Sequence, residues 1–176
     1  MPTATDIAPA PRRHASYQNW RPPVTGVSLL VPVGADCIAI ADLRGMLMLP
    51  VGGMCDGQTP EEAGYRVLTD PTGGLRLLRR VAVDSVQMRR RKVITHVIAA
   101  APMTRDAVTN LVYRDPRATV RVMPTLQLLD HWPTGRARLL LSLQALATGE
   151  TACIEDEAVH ARVPSARSAP GRGRRR

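Results

Sequence analysis

Apolar positions fall in short runs whose period changes along the chain. Residues 27–33 (VSLLVPV) and 37–41 (CIAIA) are dominated by aliphatic and β-branched side chains, and a polar stretch over 42–45 separates them from a third run at 46–49 (MLML). Runs this short, closed by Gly, Asp and Pro, predict β-strands. Residues 75–86 and 92–101 predict two longer strands on either side of a basic segment at 89–92 (RRRK), and 110–113 predicts a further short one. Residues 121–129 carry no single period and read as irregular or mixed. Over 134–148 the period lengthens to that of a helix, with Ala137, Leu140, Leu141 and the leucines that follow expected to form the apolar face.

A second helix is marked by its start. In Thr59-Pro60-Glu61-Glu62 the Thr59 side chain can cap, Pro60 is preset for the first turn, and Glu62 can reach back to complete a capping box. This helix is expected to run to about Thr69. There Pro71 biases Asp70 away from helical geometry, and Gly73-Gly74 supports a turn.

Outside these elements the patterning fades. Residues 1–23 mix Pro, Ala and Arg without a period and are expected to form a flexible N-terminal arm. Residues 149–176 end in GRGRRR and are expected to be a disordered basic tail. Residues 24–148 then form one domain of alternating strands and helices, an α/β fold.

Composition adds limits rather than a function. The chain has 176 residues, 44% of them hydrophobic, which suits one domain with a real core. No apolar run approaches the roughly 18 residues of a membrane span, so no membrane association and a cytoplasmic location are expected. The net charge of +9 is spread along the chain and favours anionic partners without selecting one. Cys37, Cys55 and Cys153 have no paired spacing and are expected to be reduced.

Residues 52–73, GGMCDGQTPEEAGYRVLTDPTG, resemble the Nudix box, G-x5-E-x7-R-E-U-x-E-E-x-G-U with U a bulky apolar residue. Its first Gly falls on Gly52, its loop Glu on Gln58 and its Arg on Arg66. The following Glu falls on Val67, the paired Glu residues on Asp70 and Pro71, and the last Gly on Gly73. The resemblance implies a Nudix-like α/β/α sandwich with a mixed β-sheet. It also implies ligand or phosphate contacts from Gly52, Gly53 and Arg66, the Arg supporting the loop.

The activity the resemblance implies is Mg²⁺- or Mn²⁺-dependent hydrolysis of a nucleoside diphosphate linked to another group. In the family the ion is held largely by carboxylates three and four residues apart on one helix face, positions that are Val67, Asp70 and Pro71 here. Asp70 is the remaining metal-ligand candidate, and the same residue at a helix end can instead form a turn. Glu62, four residues before Arg66, offers an i,i+4 pair as an alternative role for the Arg.

Three functions are compatible with these residues. The first is a Nudix-fold protein with a degenerate metal site, weak or lacking in hydrolysis and needing no cofactor, that binds a phosphorylated small molecule or a protein partner. The second is a divergent active hydrolase using Mg²⁺ or Mn²⁺ and recruiting Asp56, Asp115 or Asp130. The third is a regulatory or nucleic-acid-associated module that uses the Arg-rich tail and an edge formed by Arg79, Arg80, Arg89, Arg90, Arg91 and Lys92. Among single residues, His96 reads as a packed core histidine, Cys55 as a loop thiol, and Trp132 as an anchor for the last helix or a stacking surface.

Overall fold

A computed structural model describes residues 21–155 and 158–164. β1 (Val24–Val33), β2 (Cys37–Leu43), β3 (Met46–Met48) and β4 (Val51–Gly53) precede α1 (Pro60–Val67) and the short β5 (Leu68–Thr69). The hairpin β6 (Leu77–Met88) and β7 (Arg91–Ala100) leads to α2 (Arg105–Val108), β8 (Val112–Tyr113) and β9 (Thr119–Pro124). Then come α3 (Thr125–His131), a 3-10 turn at Pro133–Gly135, α4 (Arg136–Thr148), β10 (Glu150–Glu155) and β11 (Ala158–Pro164).

Among the described residues, nine strands form one sheet in the order β11-β10-β6-β7-β1-β2-β3, with β4 joined to β1 and β9 to β2. The β1–β7 and β6–β10 pairs are parallel and the others antiparallel, so the sheet is mixed. Strand alternation in β1 feeds two cores. Val27, Leu29, Val31 and Val33 pack on the side of α1, with Ala63 and Val67, whereas Leu30 packs on the other side with Leu128 and Leu139. Helices thus cover both faces, giving the expected α/β/α sandwich. Each fully buried aliphatic side chain in these cores contributes roughly 1.5–3 kcal/mol of transfer free energy.

The capping box forms as the sequence predicts. Glu62 N–H donates to Thr59 Oγ1 (3.2 Å), and Thr59 N–H donates to Glu62 Oε2 (2.8 Å). Thr59→Ala is expected to cost about 1 kcal/mol in urea unfolding; an unchanged midpoint would mean that tertiary packing alone holds the helix start. The helix stops at Val67, short of the expected Thr69, because Leu68 and Thr69 pair with Tyr113 and Val112 and Leu68 is fully buried. Gly64 allows α1 to lie close on the sheet, since a Cβ there would sit 2.8 Å from Leu77 Cδ1 and 3.0 Å from Leu29 Cδ2.

Several expectations are corrected. Residues 150–155 and 158–164 are not tail: β10 runs parallel to β6, burying Ala152 and Ile154, and β11 pairs with β10. Residues 156–157 and 165–176 of the expected tail and residues 1–20 of the expected arm lie outside the described residues. The irregular segment at 121–129 is the end of β9 and most of α3.

The last helix, α4, begins at Arg136 and faces the core with Leu139, Ser142 and Ala145, while Leu140 is 44% exposed. None of the described helices is long and apolar enough to cross a membrane.

Candidate functional site

The loop between β4 and α1 is built from its own side chains. Gln58 N–H donates to the Cys55 carbonyl (3.1 Å), and Cys55 N–H donates to Gln58 Oε1 (3.2 Å). Arg66 reaches back from α1, its Nη2 donating to the Gly53 carbonyl (2.7 Å) and its Nη1 to Cys55 Sγ (2.9 Å). Arg66 therefore supports the loop, but through a carbonyl and a thiol rather than an acid. Glu62 is committed to the cap at Thr59 and not to Arg66.

Gly52 and Val67 meet face to face. A Cβ on Gly52 would lie 2.4 Å from Val67 Cγ2, and Val67 is fully buried in the core beside Ala63 and Leu68. The helix position that carries the first box carboxylate in the family pattern thus holds a core side chain here. Its neighbour in that pattern, Asp70, is engaged within its own turn. Asp70 Oδ1 accepts from Thr72 N–H (2.8 Å) and Thr72 Oγ1 (2.6 Å), and Oδ2 accepts from Leu75 N–H (2.8 Å). The Thr72 hydroxyl, with help from backbone N–H groups, holds this carboxyl below the usual range. Pro71 offers no donor atom to a cation from its side chain.

A hydrated divalent ion wants several hard oxygens converging on it. Among the described residues, no three His, Cys, Asp or Glu side chains are placed to hold an ion. The residues at the box do not fit such an ion. The acids considered as recruits do not change this. Asp115 is clamped by Arg117, whose Nε and Nη2 donate to Oδ1 (3.0 Å) and Oδ2 (2.7 Å). That contact pulls its pKa down to about 2, far from what a general base needs near neutrality. Asp56 and Asp130 are exposed and take no part in a carboxylate cluster.

What does converge on Gly52 is a cation that the sequence did not single out. Arg114 N–H donates to the Val67 carbonyl (2.9 Å), and Arg114 Nη1 would lie 4.0 Å from a Cβ on Gly52. Its guanidinium makes no hydrogen bond or ion pair among the described residues. It edges a recess of about 450 Å³ that also involves Val51, Gly52, Tyr113 and Arg117. Tyr113 closes one side by donating from its hydroxyl to the Val51 carbonyl (2.7 Å).

Val51 also borders a larger cavity of about 710 Å³, walled by Met46, Met48, Leu49, Met88 and Trp132. The Trp132 ring occupies the place a Cβ on Gly135 would take, so the residue both anchors the start of α4 and walls this cavity. Arg138, from α4, borders this cavity and pairs with the buried Asp84 of β6, its Nε and Nη2 both 2.6 Å from Oδ2; Asp84 itself lines a second recess of about 380 Å³ that Arg138 and Trp132 also border.

The remaining predicted residues separate. His96 is partly exposed rather than core; burial and the nearby Arg80 lower its pKa, with Glu61 opposing them. The six-residue basic edge also divides. Arg79 donates to the carbonyls of Glu150 (2.6 Å), Ala145 (2.7 Å) and Leu146 (3.3 Å), capping the end of α4. Lys92 pairs with Glu155 (3.0 Å), and Arg80 Nη1 lies 3.4 Å from His96 Nδ1. Arg89, Arg90 and Arg91 stay together at the hairpin tip.

Fold and site together define a mixed α/β sandwich whose loop-and-helix face carries glycines and arginines instead of a carboxylate cluster. No protein family profile and no curated protein matches this sequence. Among solved structures the chain is similar to the crystal structure of a NUDIX hydrolase from Nitrosomonas europaea, at 13% identity and a TM-score of 0.49, over 78% of this chain and 81% of that one.

Proposed function

We propose that this chain is a Nudix-like domain that does not hydrolyse through its box and instead binds a phosphorylated ligand on the same face. The observation that carries this reading is the pairing of Val67 with Gly52. The position where the resemblance calls for a metal-binding acid is filled with hydrocarbon, while the one acid left, Asp70, is used by its own turn. Arg114 supports the binding half of the reading, because an unpaired guanidinium over a glycine gives a phosphate both charge and close approach. The cavity beside it supports a ligand with a second, apolar part, which would lie against Trp132 and the methionines.

Thermal shift with ADP-ribose and with nucleoside triphosphates tests this, since a ligand that binds only the folded chain stabilises it by roughly 2.7 kcal/mol at a hundredfold excess over Kd. Stabilisation is expected without a divalent ion and is expected to fall in Arg114→Ala. Stabilisation that appears only with Mn²⁺, or that survives Arg114→Ala unchanged, would contradict the reading.

A further inference from the structure

The tip of the β6–β7 hairpin gathers four arginines around one hollow. Arg89 and Arg90 form the two-residue turn between the paired Met88 and Arg91, and Arg21 is brought to them by a hydrogen bond from its N–H to the Arg90 carbonyl (3.0 Å). The hollow measures about 550 Å³ and is lined by Arg21, Arg89, Arg90 and Arg91. None of these four guanidiniums makes a hydrogen bond or ion pair with a described residue, and the Nε–H of Arg91 is buried without a partner.

Several cations elsewhere do meet a carboxylate: Lys92 with Glu155, Arg117 with Asp115, Arg121 with Asp42, Arg138 with Asp84. The tip differs from these pairs in two ways. Like charges are crowded where they repel, and a buried donor is left unsatisfied, which costs stability. Arg89 also adopts a left-handed backbone (φ 48), in a tight turn where Gly or Asn is ordinarily favoured. Local costs of this kind are relieved when an anion neutralises the cluster and accepts from the orphaned N–H.

We propose that this hollow is a binding site for a compact multivalent phosphate, a di- or triphosphate group, separate from the recess at Gly52 and Arg114. Guanidinium forks match phosphate oxygens two at a time, so four around one hollow suit several phosphate charges close together. No aromatic side chain lines it, so nothing there stacks on a base, and the site reads the phosphates alone. A nucleic-acid backbone is less well suited, because the unpaired arginines form a point cluster rather than a stripe along the strand direction.

Calorimetric titration with inorganic tripolyphosphate is the test, run at low and at physiological salt on the wild type, on Arg89→Ser/Arg91→Met and on Arg114→Ala. Both tip positions lie at the surface end of the hairpin, and a thermal melt checks that the double variant still folds. The double variant is expected to bind at least about tenfold more weakly and with a shallower salt dependence, as loss of charge-assisted contacts implies. Arg114→Ala is expected to keep the tip's binding and to lose only any separate contribution of the Gly52 face, so that failure here leaves the reading of that face intact. Wild-type binding by the tip variant, loss confined to Arg114→Ala, or binding of an oligonucleotide but not of tripolyphosphate would each overturn the proposal.

Discussion

Val67→Glu, the substitution that rewrites the family's acid into the box, is expected to destabilise the protein by roughly 3–5 kcal/mol, the range seen when a buried charge is left uncompensated. It is expected to create no hydrolase. Val67 is fully buried, its Cγ2 fills the space above Gly52, and the core residues Ala63 and Leu68 surround it. A longer, charged side chain would have to displace that contact or carry its carboxylate into hydrocarbon. Arg114, beside Gly52, is an unpaired cation that could rotate towards it, so the loss should be larger still in Val67→Glu/Arg114→Ala. Urea unfolding checks both variants. A Val67→Glu protein as stable as the wild type, gaining Mn²⁺-dependent turnover, would mean that the site is one substitution from catalysis and not rebuilt as core.

The second large effect is expected on the opposite face of the sheet. Asp84→Ala removes the partner of Arg138 and strands the charge of a side chain only 20% exposed beside the apolar cavity. The expected cost is roughly 2–4 kcal/mol, somewhat below that of a fully buried pair because water reaches part of the Arg. Replacing both residues, as Asp84→Leu/Arg138→Met, should cost less than the single change, since no charge is then stranded. Trp132 walls the same cavity, so its fluorescence reports whether α4 has shifted. A single variant as stable as the double variant would show the pair to be solvated and of little consequence.

What the sequence revealed and what it hid divide by the range of the interactions involved. The start of α1 was legible because a capping box is complete within four residues, and the chain forms it as written. The strands of the hairpin and of β1 and β2 were legible from local runs of apolar residues. The C-terminal strands were not. β10 buries little more than Ala152 and Ile154 and owes its place to β6, some seventy residues earlier in the chain, while Val163 of β11 is 52% exposed. Half-buried edge strands of small residues carry almost no periodic signal.

In α4 the difficulty was the reverse. A helix apolar nearly all round has no face to pick, and the small Ser142 and Ala145 rather than Leu140 turned out to let it lie on the sheet.

The site divides in the same way. Arg66 and the glycines could be located from the box spacing, and Arg66 does hold the loop. That its partners are the Gly53 carbonyl and Cys55 could not be read, because the loop Glu expected to pair with an Arg has become Gln58, which bonds Cys55 instead. Arg114 lies some sixty residues from Gly52 and reaches it only through the β5–β8 pairing, which no local pattern encodes. Asp84 and Arg138 are likewise joined only by the packing of α4 on β6.

The role proposed for this face is to bind without hydrolysing through its box. It is tested most directly by following product formation from ADP-ribose, dinucleotides and nucleoside triphosphates with Mg²⁺ or Mn²⁺, in the wild type and in Asp70→Ala. No turnover above buffer is expected in either protein, with Asp70→Ala affecting only the stability of the turn that it closes. Sustained metal-dependent turnover that Asp70→Ala abolishes would contradict it.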